Sequence, residues 1–356
     1  MSRERPEEAA AKIETSSKET EMVKRHDFLK AIMASHFPWD NLASYFVGAS
    51  YTLADYGSSD FSTLRGILIN DENLLGQRNT LKFVVDCIQR MRLRLLNTSG
   101  SHEIGLMREL ANYNAFAAWL CQDAGEIALA TPYIDEALNV ARESGDPSVR
   151  ANVLCRKAHL AIDAGDAKNG VALAQAAHKA GDGSNIRLQT YSLLLGAMGY
   201  SLSQDQKKFE HNLKEALKLK DKLPQQESGS HILGNFCTGS YIEVVTATCW
   251  LNFDPEYAMN LYEEALKAWP EKYKKISSFY YAKAAVAHII GHNPEPEQAV
   301  NFANQSLQIA KETRCVRTLK ELKRLDDQMI TWRSMSAIAE FHTSLEQLVV
   351  PSIRGE

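Results

Sequence analysis

His288-x-x-x-His292 is the first place to look for chemistry, because an i, i+4 spacing on a helix can bring two imidazoles onto one metal ion. Gly291 and Pro294 argue that the helix ends there, and no Glu follows His288 to serve as a base. The pair reads as two histidines at a helix end. The cysteines at 87, 121, 155, 237, 249 and 315 form no CxxC and mostly sit in apolar helical stretches, where a thiol behaves as a small hydrophobe. Neither a zinc site nor a disulfide framework is expected from that spacing. There is no G-x-S-x-G, and Gly165, Gly170 and Gly181 are too widely spaced for a phosphate loop. Glu263-Glu264 and Asp326-Asp327 read as solvated helix positions. No catalytic residue, metal ligand or cofactor is assigned. One cluster stays open: Trp39, Tyr45, Tyr51, Asp55, Tyr56 and Asp60 bring aromatic and acidic groups together. Packing onto the following helices is its simplest account, and an atypical enzyme or enzyme-subunit site is the alternative.

The elements that must position any site repeat along the chain. In AMNLYEEALKAWP, Ala258, Tyr262 and Ala265 fall on one helical stripe, and Pro270 stops the helix. Ala130, Ile134 and Ala137 occupy the same register upstream, and Ala299, Ala303 and Ser306 downstream. Phe209, Leu213 and Ala216 fit between them, and Gly170, Ala174 and Ala177 fit more loosely. The equivalent positions Ala137, Ala177, Ala216, Ala265 and Ser306 are 40, 39, 49 and 41 residues apart. Twelve positions before each first stripe residue stands a small one: Ala118, Ala158, Ala197, Thr246 and Ala287. A helical unit recurring at that spacing indicates an all-α solenoid of helix pairs.

Over roughly residues 104 to 311 this pattern resembles the tetratricopeptide repeat. That family's first helix carries a small residue at its eighth position, and its second helix small or aromatic residues at positions twenty, twenty-four and twenty-seven. Pro270 matches the proline often found at position thirty-two, whereas Arg142, Asp182, Asp221 and Lys311 depart from it. The units are longer than the family's own. The resemblance implies a right-handed superhelix whose first helices line a concave groove with positions two, five, nine and twelve. Those positions include Asn112, Trp119 and Gln122, then Asn152 and His159, then Tyr191 and Met198, then Glu243 and Trp250, and last Tyr281 and His288. A column of amides and rings there can hold an extended peptide, amides bonding its backbone and rings taking its side chains. Packing inside a tightly wound superhelix is the competing use of each position. Asn112 and Asn152, forty residues apart at the same repeat position, are the stronger ligand candidates, since Asn inside a helix costs stability.

Along the chain, residues 1–20 are charged and lack an apolar stripe, so they read as a disordered tail. Residues 22–96 read as helical but off the repeat register, Asn97 to Ser101 as a linker, and 103–311 as five helix pairs. The polar insert QQESGSHILGNFCTGS accounts for the 49-residue step. One long helix from about Val316 to Phe341, within 312–345, is expected to cap the array. A net charge of −4 and the lack of basic residues from Phe46 to Thr63 argue against direct nucleic-acid binding. No signal peptide and no membrane span are expected, and the chain reads as cytoplasmic. A protein or peptide partner is expected, with self-association through the outer surfaces compatible with it. The long, loose repeats ending in phrases such as ARESGDP, after the basic start VKRHDFLKAI, also resemble the sensor regions of bacterial tetratricopeptide regulators. The resemblance implies a regulatory component that binds signalling peptides or proteins. Such regulators usually carry a DNA-binding module, which this sequence lacks, so an accessory role toward a separate protein fits better.

Overall fold

The computed structural model describes residues 57–354, apart from 76, 182, 184, 225–232, 235, 268, 271, 272 and 314. The sequence readings for residues 1–20, for 22–56 and for the cluster members at 39, 45, 51, 55 and 56 lie outside the described residues. Asp60 lies inside them, where its carboxylate accepts from the Gly57 backbone N–H at 2.8 Å at the start of the first described helix.

Helices α1 (Ser58–Leu75) and α2 (Gln77–Leu95) precede five helix pairs. The pairs are α3 (Ser101–Asp123) with α4 (Ile127–Glu143), α5 (Pro147–Asp163) with α6 (Ala167–Ala180), and α7 (Ile186–Leu202) with α8 (Gln206–Lys220). They continue with α9 (Gly239–Trp250) and α10 (Pro255–Lys267), then α11 (Lys274–Ile290) and α12 (Pro296–Thr313). No strand is present among the described residues. The turns carry their own start signals. Asp146, Asp166, Asn185, Asp205 and Thr238 each stand just before a helix and accept a hydrogen bond from the backbone N–H three residues on. Replacing Asp166 by Ala is expected to cost about 1 kcal/mol of unfolding free energy, read from the urea midpoint, with Asn largely retaining it. An unmoved midpoint for Asp166→Ala would mean that packing alone ends these turns.

The repeating stripe is the core. Ala130, Ala137, Phe209, Ala216, Ala258, Tyr262, Ala299, Ala303 and Ser306 are all completely buried, and the position-eight residues Ala118, Ala158, Ala197, Thr246 and Ala287 are buried as well. Small side chains at the crossing points let the two helices of a pair approach closely, and each first helix also packs on the next first helix through α7 and α9. α1 and α2, off the repeat register, pack on α3. Tyr113 donates to the Phe61 carbonyl at 2.9 Å, and Arg65 pairs with Glu109 at 3.1 Å.

The C-terminal end differs from expectation. Instead of one helix from Val316 to Phe341 there are two, α13 (Val316–Gln328) and α14 (Ser336–Arg354), separated by a 3₁₀ turn, Met329–Trp332. Asp326, fully buried, gathers Lys323, Arg333 and His342 around its carboxylate at 2.9–3.2 Å and so ties the two helices together. The continuous polar face KELKRLDDQ hid this break, because its Asp is turned inward to organise cations rather than outward to water. Among the described residues no helix is long and apolar enough to cross a membrane.

Candidate functional site

The array does not leave its concave side open as a groove. Lys275, in the first turn of α11, reaches the end of α3 and pairs with Asp123 at 3.0 Å, the two side chains being only 4% and 7% exposed. Arg317 of α13 pairs with Asp163 at the end of α5 at 2.9 Å. Lys320 donates to the carbonyl of Gly125, in the first repeat's turn, at 3.1 Å. Gly125 holds a φ of +74°, a left-handed backbone that favours glycine, and a Cβ there would stand 2.5 Å from the mobile end of the Lys320 side chain. The last units thus close onto the first two.

The insert between the third and fourth pairs closes a further side. Arg187 donates to the carbonyls of Pro224 and Cys237, and Asn185 to that of Leu233. Gly234 holds a φ of +76°, and a Cβ there would stand 3.3 Å from the Arg187 Cβ and 3.2 Å from Leu188. Phe236 is thereby set edge-on against Tyr191, ring centroids 4.8 Å apart, and against Tyr241 at 5.4 Å.

What remains is a cavity of about 160 Å³ lined by α1, α3, α5, α7, α9, α11, the insert and the start of α13. Five of the eleven candidate residues meet there: Asn112, Trp119, Asn152, His159 and Tyr191. The Asn152 amide donates to the Asn112 carbonyl oxygen at 3.4 Å, so the two amides sit side by side on adjacent first helices. His159 bonds the Tyr191 hydroxyl through Nδ1 at 2.8 Å, while its Nε2 faces Asp163 at 3.7 Å and Arg317 at 3.5 Å. Burial first, and then Arg317 and Arg156, push the His159 imidazole down to about 4 against the opposing pull of Asp163. The Asp163 carboxyl is held below its usual range: loss of water works to raise it, but Arg317, His159 and the Gln122 amide at 2.6 Å outweigh that. His159 is therefore neutral and Asp163 ionised at neutral pH.

The other six candidates are placed elsewhere, Met198 half-buried in α7 among them. Gln122 is buried beside the cavity and serves Asp163. Glu243 bonds Lys220 of α8 at 2.5 Å. Trp250 packs on Phe209 and Tyr257 at 5.0 and 5.3 Å. Tyr281 and His288 both lie against Phe302, and His288 also bonds Glu295 at 3.0 Å. His292 stands beyond the end of α11. The six cysteines are buried free thiols, and burial pushes Cys121 up to about 11 and Cys237 up to about 12, which leaves both as protonated packing residues.

Spacing alone missed Arg156, Tyr241, Lys275, Phe279, Tyr280 and Arg317, all of which line the cavity. α3 and α5 present their middle and C-terminal residues, whereas α7, α9 and α11 present N-terminal ones. Successive units rotate as the superhelix winds, so the inward column moves along the helices instead of holding one repeat position.

No family model matches this chain, and no curated protein matches its sequence. Among solved structures, BtubC from P. vanneervenii is similar over 73% of this chain and 93% of its own, at 14% identity and a TM-score of 0.42. A human IFIT1 dimer with m7Gppp-AAAA is similar over 94% of this chain and 87% of its own, at 14% identity and a TM-score of 0.33. Both scores are too low to carry a conclusion, and the architecture rests on this chain's own helices.

Proposed function

We propose that this chain is a binding protein whose concave cavity takes the end of a peptide or of a partner protein, and that it acts as the sensing component of a regulatory pair. One observation carries the reading. Asn112 and Asn152 satisfy each other only once, leaving the Asn112 amide N–H groups and the Asn152 carbonyl oxygen side by side at the cavity with no partner among the described residues. A donor next to an acceptor is the complement of a peptide group, which offers one C=O and one N–H. Trp119 and Tyr191 supply ring surfaces at the same cavity for side chains. The resemblance to bacterial tetratricopeptide regulators supports the regulatory role, with occupancy passed to a separate protein.

The test is affinity capture of the full tagged chain from its native host, compared with the double variant Asn112→Ala/Asn152→Ala. A peptide or protein recovered with the parent chain is expected to fall at least about tenfold in the variant, the loss of roughly two hydrogen bonds. Melting curves would check that the variant is folded. Undiminished recovery would move the interface to the outer helices and end this reading.

A further inference from the structure

The cavity holds four cationic side chains, and three of them have a carboxylate of their own: Arg65 with Glu109, Lys275 with Asp123 and Arg317 with Asp163. Arg156 of α5 has none among the described residues. Its guanidinium stands instead near two rings, 5.8 Å from the centroid of Trp119 and 6.0 Å from that of Phe236. Rings stabilise such a cation only in part, and a guanidinium is built to grip a planar anion with two parallel N–H donors. The Lys275 ammonium stands 5.2 Å over the same Trp119 ring.

Building on the concave-site reading above, we infer that the cavity recognises an anionic group, of carboxylate type, carried on a flat apolar body: the anion meets Arg156 and the body lies against Trp119 and Phe236. A peptide C-terminus ending in an aromatic residue and a free aromatic acid share this chemistry.

The experiment uses the full chain and two fluorescent probes with the same rings, anilinonaphthalene sulfonate and its uncharged analogue phenylnaphthylamine. The sulfonate is expected to bind at one saturable site at least about tenfold more tightly than the neutral dye, since charge-assisted bonds exceed neutral ones by that order. Arg156→Gln is expected to abolish the difference while leaving the neutral dye within about twofold, and Arg156→Lys to fall between, keeping charge but losing the fork. Equal binding of the two dyes, or a sulfonate preference that survives in Arg156→Gln, overturns the anion inference alone. Absence of saturable binding by either dye overturns the concave-site reading itself. Competition then separates the sources, using an acetylated tripeptide ending in Phe against its C-terminal amide, and indole acetate against indole acetamide. Displacement by the acid and not its amide in either pair supports the inference and names the source. Displacement by acid and amide alike, or by neither pair, overturns it.

Discussion

Lys275→Met is expected to lower the unfolding free energy by about 3–5 kcal/mol, read from guanidinium unfolding at neutral pH. The size follows from what remains behind. Asp123 would be left at 7% side-chain exposure with the paired ammonium gone, and Lys275 itself is only 4% exposed. A buried ion pair returns little net stability when intact, because each charge has given up its hydration. Removing one partner is costly because the other cannot recover that hydration without moving. The double variant Lys275→Met/Asp123→Leu is therefore expected to regain most of the loss, and the cycle to show a coupling of several kcal/mol between residues 152 positions apart in sequence. A single-variant cost below about 1 kcal/mol would mean that α11 is not held to α3 by this pair.

Stability is expected to fall by about 2–3 kcal/mol more in the parent chain than in His159→Gln as pH is lowered from 7 to 4.5. His159 titrates near its ordinary 6.5 when unfolded and at about 4 in the fold. Between those values the unfolded chain takes up the proton and the folded chain does not. Stability is thus full above about 6.5 and is lost as pH falls toward 4. Asp163 works in a lower window: its depressed carboxyl contributes stability above about 3.8, lost only as pH drops below it. The two groups touch, yet their windows are separate. Urea midpoints at several pH values for both chains would check this, and parallel curves would show that the imidazole is solvated in the fold.

The helix pairs were legible because their signal is local and repeated. Close crossings demand small residues, and Ala118, Ala158, Ala197, Thr246 and Ala287 mark them at steps of 40, 39, 49 and 41 residues, with Asp and Gly residues punctuating the turns. The cavity was half legible. Asn112, Asn152 and Trp119 follow from repeat position, as do His159 and Tyr191. Arg156, Lys275 and Arg317 do not, because they face inward through winding that no single repeat encodes. Trp250 and His288 failed the column for the same reason: the rotation that brings Tyr241 and Tyr280 inward turns them into contacts between helices. The broken cap was hidden because an Asp that collects a lysine, an arginine and a histidine looks, in sequence, like any solvated Asp.

The closure of α11 and α13 onto the first repeats changes how the molecule can come apart. In an open solenoid each unit touches only its neighbours, so stability sums along the array and the ends can fray on their own. Here the bridge from Lys320 to Gly125 spans 195 positions, and the pair Arg317–Asp163 spans 154. Contacts that distant incur the full entropy of closing the loop before they return anything, so they form late in folding and the rate falls with them. Once formed, they make the terminal units part of a single cooperative body. A chain that loses its last two helices would then lose more than a cap: its first repeats would open with them, and local exchange near Asp123 would report damage done at the far end.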